Sequence, residues 1–342
     1  MGVALEDQAS VSTPATAVES SGFGDRLREA MRGDLKSILL PALGLVALIV
    51  VFSIAADNFF QVSTIYTIAR ELAIVLVVAV GMTFVILMGS IDLSVGATVT
   101  LAGLVAAKTS ATYEWTIALG AGLLAGIIIG VVNGLVFAYA KVPSFLATLG
   151  TSLAIDGLSQ WYTGGRPVQI TDPTFTNVAQ ASLIGDLPNL ALWALLIWIV
   201  LSVFGSHTRF GRYSYAIGGG EVVSGLSGIP VRRMKFYVMV LCSALAALAG
   251  VLLTMRIGAA TPAMGTSLTL DSIAAVVIGG TALTGGVGGV HRTILGVLVI
   301  TVLGVGLDSM VVPPYLQLMI QGGVVILAVA LTLDRSKITI LK

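Results

Sequence analysis

The chain contains one cysteine, two histidines and four tryptophans, and only 10% of its residues are charged. Each scarcity excludes a class of chemistry. Cys242 alone cannot form an internal disulfide, and its apolar neighbours suit a small buried residue. His207 and His291 lie far apart, and with no HExxH pattern or Cys/His cluster a metal site is not expected. No GxxxxGK[ST] phosphate loop occurs, so any ATP must be hydrolysed by a separate chain. No serine sits in a GxSxG elbow. The glycines of 285–289 lack GxGxxG spacing and a strand before them, which points to close helix packing and not to a dinucleotide. These absences predict no catalytic residues and no cofactor. A net charge of +1, with cations dispersed between apolar stretches, excludes a nucleic-acid partner.

What is abundant is apolar surface. Hydrophobic residues make up 56% of the chain and the mean hydropathy is +1.01. A soluble domain carries about a quarter charged residues. The chain is therefore expected to be an all-α polytopic membrane protein in contact with lipid. Spans of about 17–25 residues are placed near 38–56, 65–88, 94–108, 116–140, 143–162, 190–205, 236–256, 270–283, 292–309 and 315–333. The expected organisation is a tail with a short surface helix over 1–37, a membrane domain over 38–333, and a C-terminal tail over 334–342. The first 24 residues, rich in Ser, Thr and Ala, are read as disordered and have no signal-peptide apolar core. The alternating charges of 25–36 suit a surface helix. Only Arg70, Lys108, Arg166 and Arg256 fall at one set of span ends, and every other Lys and Arg falls at the opposite set or beside it. The positive-inside rule then puts both termini in the cytoplasm.

One apolar segment is interrupted at its centre. The stretch 81–101, GMTFVILMGSIDLSVGATVTL, reads as two half-helices meeting at Gly89, Ser90, Asp92, Ser94 and Gly96. A carboxylate at membrane depth must face protein or water. The stretch 250–270, GVLLTMRIGAATPAMGTSLTL, repeats the pattern. At one constant offset Gly81, Gly89, Gly96, Thr100 and Leu101 fall on Gly250, Gly258, Gly265, Thr269 and Leu270. One residue further, Gly134, Pro143 and Leu146 fall on Gly304, Pro313 and Leu316. The offset covers five spans, an odd number, so spans 2–5 and 7–10 form two repeats of inverted topology. Such repeats place a route at their interface. The residues assigned to it are Ser90, Asp92, Ser94, Asn133, Thr261, Thr266 and Ser267. Asp92 and Ser94 also read as caps of the third span, and Asn133 as an interhelical hydrogen-bond partner. Asp156 stands out as an acid placed inside the fifth span.

Two loops are long. The first, about 163–189, reads either as an external platform or as a solvated connector. The second, 206–235, holds a short piece between Gly220 and Pro230 whose Val222, Val223, Leu226 and Ile229 would share an apolar face, with Glu221 at a helix start. It suits a surface helix that docks on a partner.

Three stretches, GSIDLSVGATVTLAGLVAA (89–107), GRYSYAIGGGEVVSGLSGI (211–229) and DSIAAVVIGGTALTGGVGGV (271–290), resemble the inner-membrane permease subunits of ribose-type ABC sugar importers. The resemblance covers about residues 38–333. It implies a type II ABC importer-like fold of about ten helices. It further implies import of a monosaccharide or related polyol across the bacterial inner membrane. The implied partners are an ABC ATPase subunit, a periplasmic or extracellular substrate-binding protein, and a second permease copy or paralogue. By motif, Ile91 to Gly96 match the pathway side, and Asp271 with Gly279, Gly280, Gly285 and Gly286 match a second core motif. Glu221, Ser227, Gly228 and Ile229 match the segment that contacts the ATPase, where Gly220 replaces a common Asn. The ATPase-coupling set is thus Gly220, Glu221, Val222, Val223, Leu226, Ser227, Gly228 and Ile229. The alternatives are an ATP-independent secondary transporter or facilitator, with Asp92 as an ion site, and a membrane subunit with no transport of its own.

Overall fold

A computed structural model describes residues 23–184 and 187–332. The expectations for 1–22 and 333–342 lie outside the described residues. Contacts divide the chain after Lys36, and the packing below is that of the unit from Ser37 onward.

The chain is a succession of helices: α1 (Phe23–Ala55), α2 (Val62–Leu87), α3 (Val95–Ser110), α4 (Trp115–Ala138), α5 (Ser144–Thr163), α6 (Pro173–Gln180), α7 (Asn189–His207), α8 (Arg209–Gly219), α9 (Glu221–Leu226), α10 (Val231–Ile257), α11 (Thr266–Ile278), α12 (Val290–Ser309) and α13 (Pro314–Thr332). Four short strands complete it: β1 (Val168–Gln169), β2 (Ser182–Ile184), β3 (Leu187–Pro188) and β4 (Ala259–Ala260). Every expected span overlaps a helix, the one expected at 270–283 starting four residues earlier, at Thr266–Ile278. Among the described residues six stretches are long and apolar enough to cross a bilayer: Ile38–Ala55, α2, α4, α7, α10 and α12. Three shorter apolar stretches, α3, α11 and Pro314–Leu327, complete the apolar set. The helix α5 has 20 residues but is too polar to join it.

Apolarity around the circumference decides which helix is central. From Leu72 to Leu87 every residue of α2 is buried, as expected for a helix without a polar face. Along α4, Gly122, Gly126, Gly130 and Gly134 recur every fourth residue and lie against α10. A Cβ on Gly126 would stand 2.2 Å from the Ala247 Cβ, and one on Gly130 would stand 2.7 Å from the Val240 Cα. Small residues at this spacing let two backbones approach where lipid supplies no hydrophobic drive between helices.

The two repeats pack alike. The contacts α3–α4, α3–α5, α10–α3 and α10–α4 have the counterparts α11–α12, α11–α13, α2–α11 and α2–α12. At their junction the Gly96 N–H donates to Thr269 Oγ1 (2.9 Å), and the Gly265 N–H donates to Thr100 Oγ1 (3.0 Å). These four residues are the duplicated pairs, so the clasp is reciprocal. Residue 96 meets 269 and residue 100 meets 265, so α3 and α11 run antiparallel. The same holds for α2 and α10, where Gly81 lies against Cys242 and Glu71 pairs with Arg256. Equivalent helices running in opposite directions are what inverted topology requires.

Candidate functional site: two breaks and an exposed apolar helix

The helix α2 ends because Gly89 takes a left-handed conformation (φ 68°), closing the turn with its N–H on the Ile86 carbonyl (2.8 Å). The next backbone donors have no helix to join. The Ile91 N–H donates to Ser144 Oγ (3.2 Å) and the Leu93 N–H to Thr148 Oγ1 (2.9 Å), both hydroxyls lying on the first turns of α5. Asp92 Oδ1 then accepts from the Ser94 N–H (2.9 Å) and the Ser94 hydroxyl (2.6 Å), and Ser94 Oγ accepts from Asn133 Nδ2 (2.8 Å). Asp92, Ser94 and Asn133 are all fully buried, and Ser90 nearly so. Asp92 Oδ2 and Asn133 Oδ1 have no hydrogen-bond partner, and the Cys242 thiol of α10 lies beside the Asp92 carboxyl. The first break is therefore a closed polar knot tying α3 to α4, α5 and α10. Asp92 faces protein, the first of the two environments expected for it.

The second break is built differently. Gly258 (φ 76°) ends α10, and β4 pairs antiparallel with β1 of the long loop, Val168 opposite Ala260. The Ile170 N–H donates to the Gly258 carbonyl (3.0 Å). The loop's helix α6 buries Phe175 and Ala179, and Gln180 Nε2 donates to the Arg256 carbonyl (3.0 Å). Much of this loop is thus pinned to the second break. Thr261 is half-buried, whereas Thr266 and Ser267 are exposed. The seven residues assigned to a route therefore divide: the four from the first repeat are enclosed, and two of the three from the second are open.

The loop of 206–235 folds into α8 and α9. Gly211, Ser214 and Ile217 of α8 are buried, and Gly218 sits where a Cβ would stand 1.9 Å from the Leu87 carbonyl oxygen and 2.5 Å from the Gly286 nitrogen. The Gly286 N–H donates to that Leu87 carbonyl (2.9 Å). Three backbones thus meet without side chains: the end of α2 at the first break, the end of α8, and the turn of Gly285 and Gly286.

Beyond this junction Gly220 is extended (φ 174°), a conformation any residue adopts, so nothing in the backbone requires glycine there. The short helix α9 exposes Val222, Val223 and Leu226, the last 85% exposed. Ile229 turns away from them and packs on the core. The expected apolar face is therefore three residues presented outward and one anchoring inward. Glu221 holds α9 to α10 through Lys235 (2.7 Å), Ser227 Oγ donates to the Val223 carbonyl (2.9 Å), and Gly228 (φ 81°) turns the chain back. A cleft of about 580 Å³ opens beside α9, lined by Lys141, Glu221, Val222, Arg232 and Lys235 among others.

Sequence reasoning did not single out Ser144, Thr148, Thr100, Thr269 or Gly218 for these roles. Thr100 and Thr269 were visible as a duplicated pair. Ser144 and Thr148 carry no local signal, because their partners lie 53 and 55 residues away. Among the described residues no group of His, Cys, Asp and Glu that could hold a metal ion occurs.

Residues 64–329 match the family model described as "Branched-chain amino acid transport system / permease component". The chain is 42% identical to the ribose import permease protein of Bacillus subtilis over 87% of its own length and 92% of the relative's. It is 38% identical to the ribose import permease protein of Escherichia coli K12, covering 84% and 91%. It is 32% identical to the xylose transport system permease protein of Haemophilus influenzae, covering 89% and 99%.

Proposed function

The chain belongs to the branched-chain amino acid transport system permease family and, within it, to the ribose-type permeases of ABC importers; from that premise we propose that it conducts a monosaccharide or related small polyol inward across the bacterial inner membrane. The relatives named for ribose and xylose favour a sugar over the amino acids of the family's description, and pentoses come first among sugars. The permease itself is not an enzyme. A separate ABC ATPase supplies the energy, a substrate-binding protein delivers the sugar, and a second permease copy or a paralogue completes the route.

The observation that carries the coupling is the presentation of α9. A helix that exposes Val222, Val223 and Leu226 on water would be an unfavourable surface, unless a partner covers it. In this reading the ATPase does so. Its displacement of α9 passes through the glycine junction to Leu87 and Gly89, the hinge between α2 and α3. Backbone packed on backbone transmits displacement without the slack of a flexible side chain. The orientation follows the positive-inside rule, with Arg232, Arg233 and Lys235 beside α9 in the cytoplasm and the loop pinned to the second break facing the binding protein. The exposed apolar faces of α1, including Leu43 and Ile54, meet lipid.

The ATP-independent alternative is less well supported, because the carboxylate it needs is enclosed by Ser94 and Asn133. The deciding experiment is uptake of labelled pentoses, hexoses and polyols into vesicles containing this chain, with and without its ATPase and binding protein. Uptake that needs both partners and ATP is expected. Uptake by the chain alone would overturn the assignment.

A further inference from the structure

The helix α5 exposes apolar side chains, among them Leu146, Leu153 and Trp161, but a polar strip runs beside them. At about 1.5 Å per residue its 20 residues are long enough to cross most of a bilayer. It packs chiefly against α3 and α4 and buries one stripe, comprising Ser144, Ala147, Thr148, Ile155 and Ser159. Along one edge of that stripe run Ser152, Asp156 and Gln160, spaced four residues apart, with Asp156 and Ser152 half-buried and Gln160 exposed. Neither of the ion pairs among the described residues involves Asp156. Next to the strip Gly150 and Gly157 have open space where a side chain would stand. The matching helix of the second repeat, α13, also has open space at Gly322 and Gly323.

A carboxylate at this depth facing lipid would cost roughly 2.5–3.5 kcal/mol, and Ser152 and Gln160 would add to the cost. The strip must therefore meet water or polar groups. Resting on the importer reading above, we propose that Ser152, Asp156 and Gln160 line the sugar route where two permease copies face each other, and that Asp156 is a specificity-determining residue. The bare backbone at Gly150 and Gly157 lets the second copy approach and close the route beside the strip. The chemistry fits a polyhydroxylated substrate. A carboxylate offers two acceptor oxygens to neighbouring hydroxyls, while Gln160 both donates and accepts. A single partly solvated acid also keeps the contact weak enough for release. The enclosed Asp92 has no such freedom, since Ser94 already occupies one of its oxygens twice.

The test uses the complete importer in vesicles. Asp156→Leu places an apolar side chain where lipid would welcome one. On the route it should lower sugar uptake roughly 10- to 100-fold, the loss of hydrogen bonds to a charged group, while the assembled complex still hydrolyses ATP. Asp156→Asn should alter the ranking of pentoses and polyols. Independently, Ser152→Cys and Gln160→Cys in a Cys242→Ala background should react with a charged, membrane-impermeant thiol reagent, and substrate should slow the reaction. Wild-type uptake by Asp156→Leu, or cysteines at 152 and 160 that the reagent never reaches, would overturn the proposal. Failure of the unaltered importer to carry any sugar would instead overturn the importer reading.

Discussion

The two breaks share a backbone and differ in chemistry. Both end their first half-helix at a left-handed glycine, Gly89 or Gly258, and both restart through a glycine whose N–H is held by a threonine of the opposite repeat. Yet the first contains Asp92 and buries it, while the corresponding position of the second is Thr261, half-buried beneath a two-stranded clamp. Duplication preserved what the repeat interface needs, which is close approach and satisfied donors. It did not preserve the side chains that face outward from that interface. The first break packs on the end of α8, and the second on the long loop, so two equivalent breaks have different neighbours.

The comparison predicts its own breaking points. The largest effect belongs to the shared clasp. A Cβ on Gly96 would stand 2.4 Å from the Gly265 carbonyl oxygen, and one on Gly265 would stand 2.1 Å from that of Gly96. Gly96→Val and Gly265→Val should each destabilise by more than about 4 kcal/mol. Loss of folded protein from detergent extracts, equal for both, checks this; tolerance at one site would show that the clasp is not symmetric.

Next comes Gly218→Ala. The added methyl would meet the Leu87 carbonyl at 1.9 Å, so α8 must shift off the first break. Uptake should fall at least about tenfold while ATP hydrolysis persists. A contrasting change at the second break, Gly258→Ala, meets its nearest atom only at 4.0 Å and mainly strains the backbone by about 1–2 kcal/mol. The ratio of sugar carried to ATP hydrolysed separates the two variants.

A third comparison sets Asp92→Ala against Thr261→Ala. Removing the Asp92 carboxyl leaves the Ser94 N–H and hydroxyl unpaired in a dry site, at about 1–3 kcal/mol for each group stranded. The half-buried Thr261 should cost less than about 1 kcal/mol. Thermal melting of the two purified variants orders them.

The smallest effect is expected at Glu221→Gln. Its carboxylate is largely exposed, and surface pairs contribute about 0–1 kcal/mol. Melting should barely change, whereas Leu226→Ser in the same helix should weaken ATPase binding without altering stability, because Leu226 touches little of its own chain.

Read as sequence, the chain specified where its apolar helices lie, though not the shorter helices α6 and α8 folded within its two long loops. Apolar runs of bilayer length leave the backbone no alternative to helix. The duplicated glycines and threonines specified the inverted pairing as well, because the same local pattern seeks the same contact twice. The absence of a phosphate loop is the reason to expect a separate ATPase. Tertiary structure alone decided which polar residues are enclosed. Asp92 and Asp156 both lie in apolar stretches, but the first accepts from the Ser94 N–H and hydroxyl at the start of α3, with Asn133 of α4 donating in turn to Ser94, while the second lies on an edge that its own chain leaves half open. It also decided that Ile229 anchors while Leu226 is presented, since helical period assigns a face and not the neighbour that covers it. The hydroxyls of Ser144 and Thr148 show the reason plainly. They satisfy the donors of a break more than fifty residues before them, and only the folded chain brings the two together.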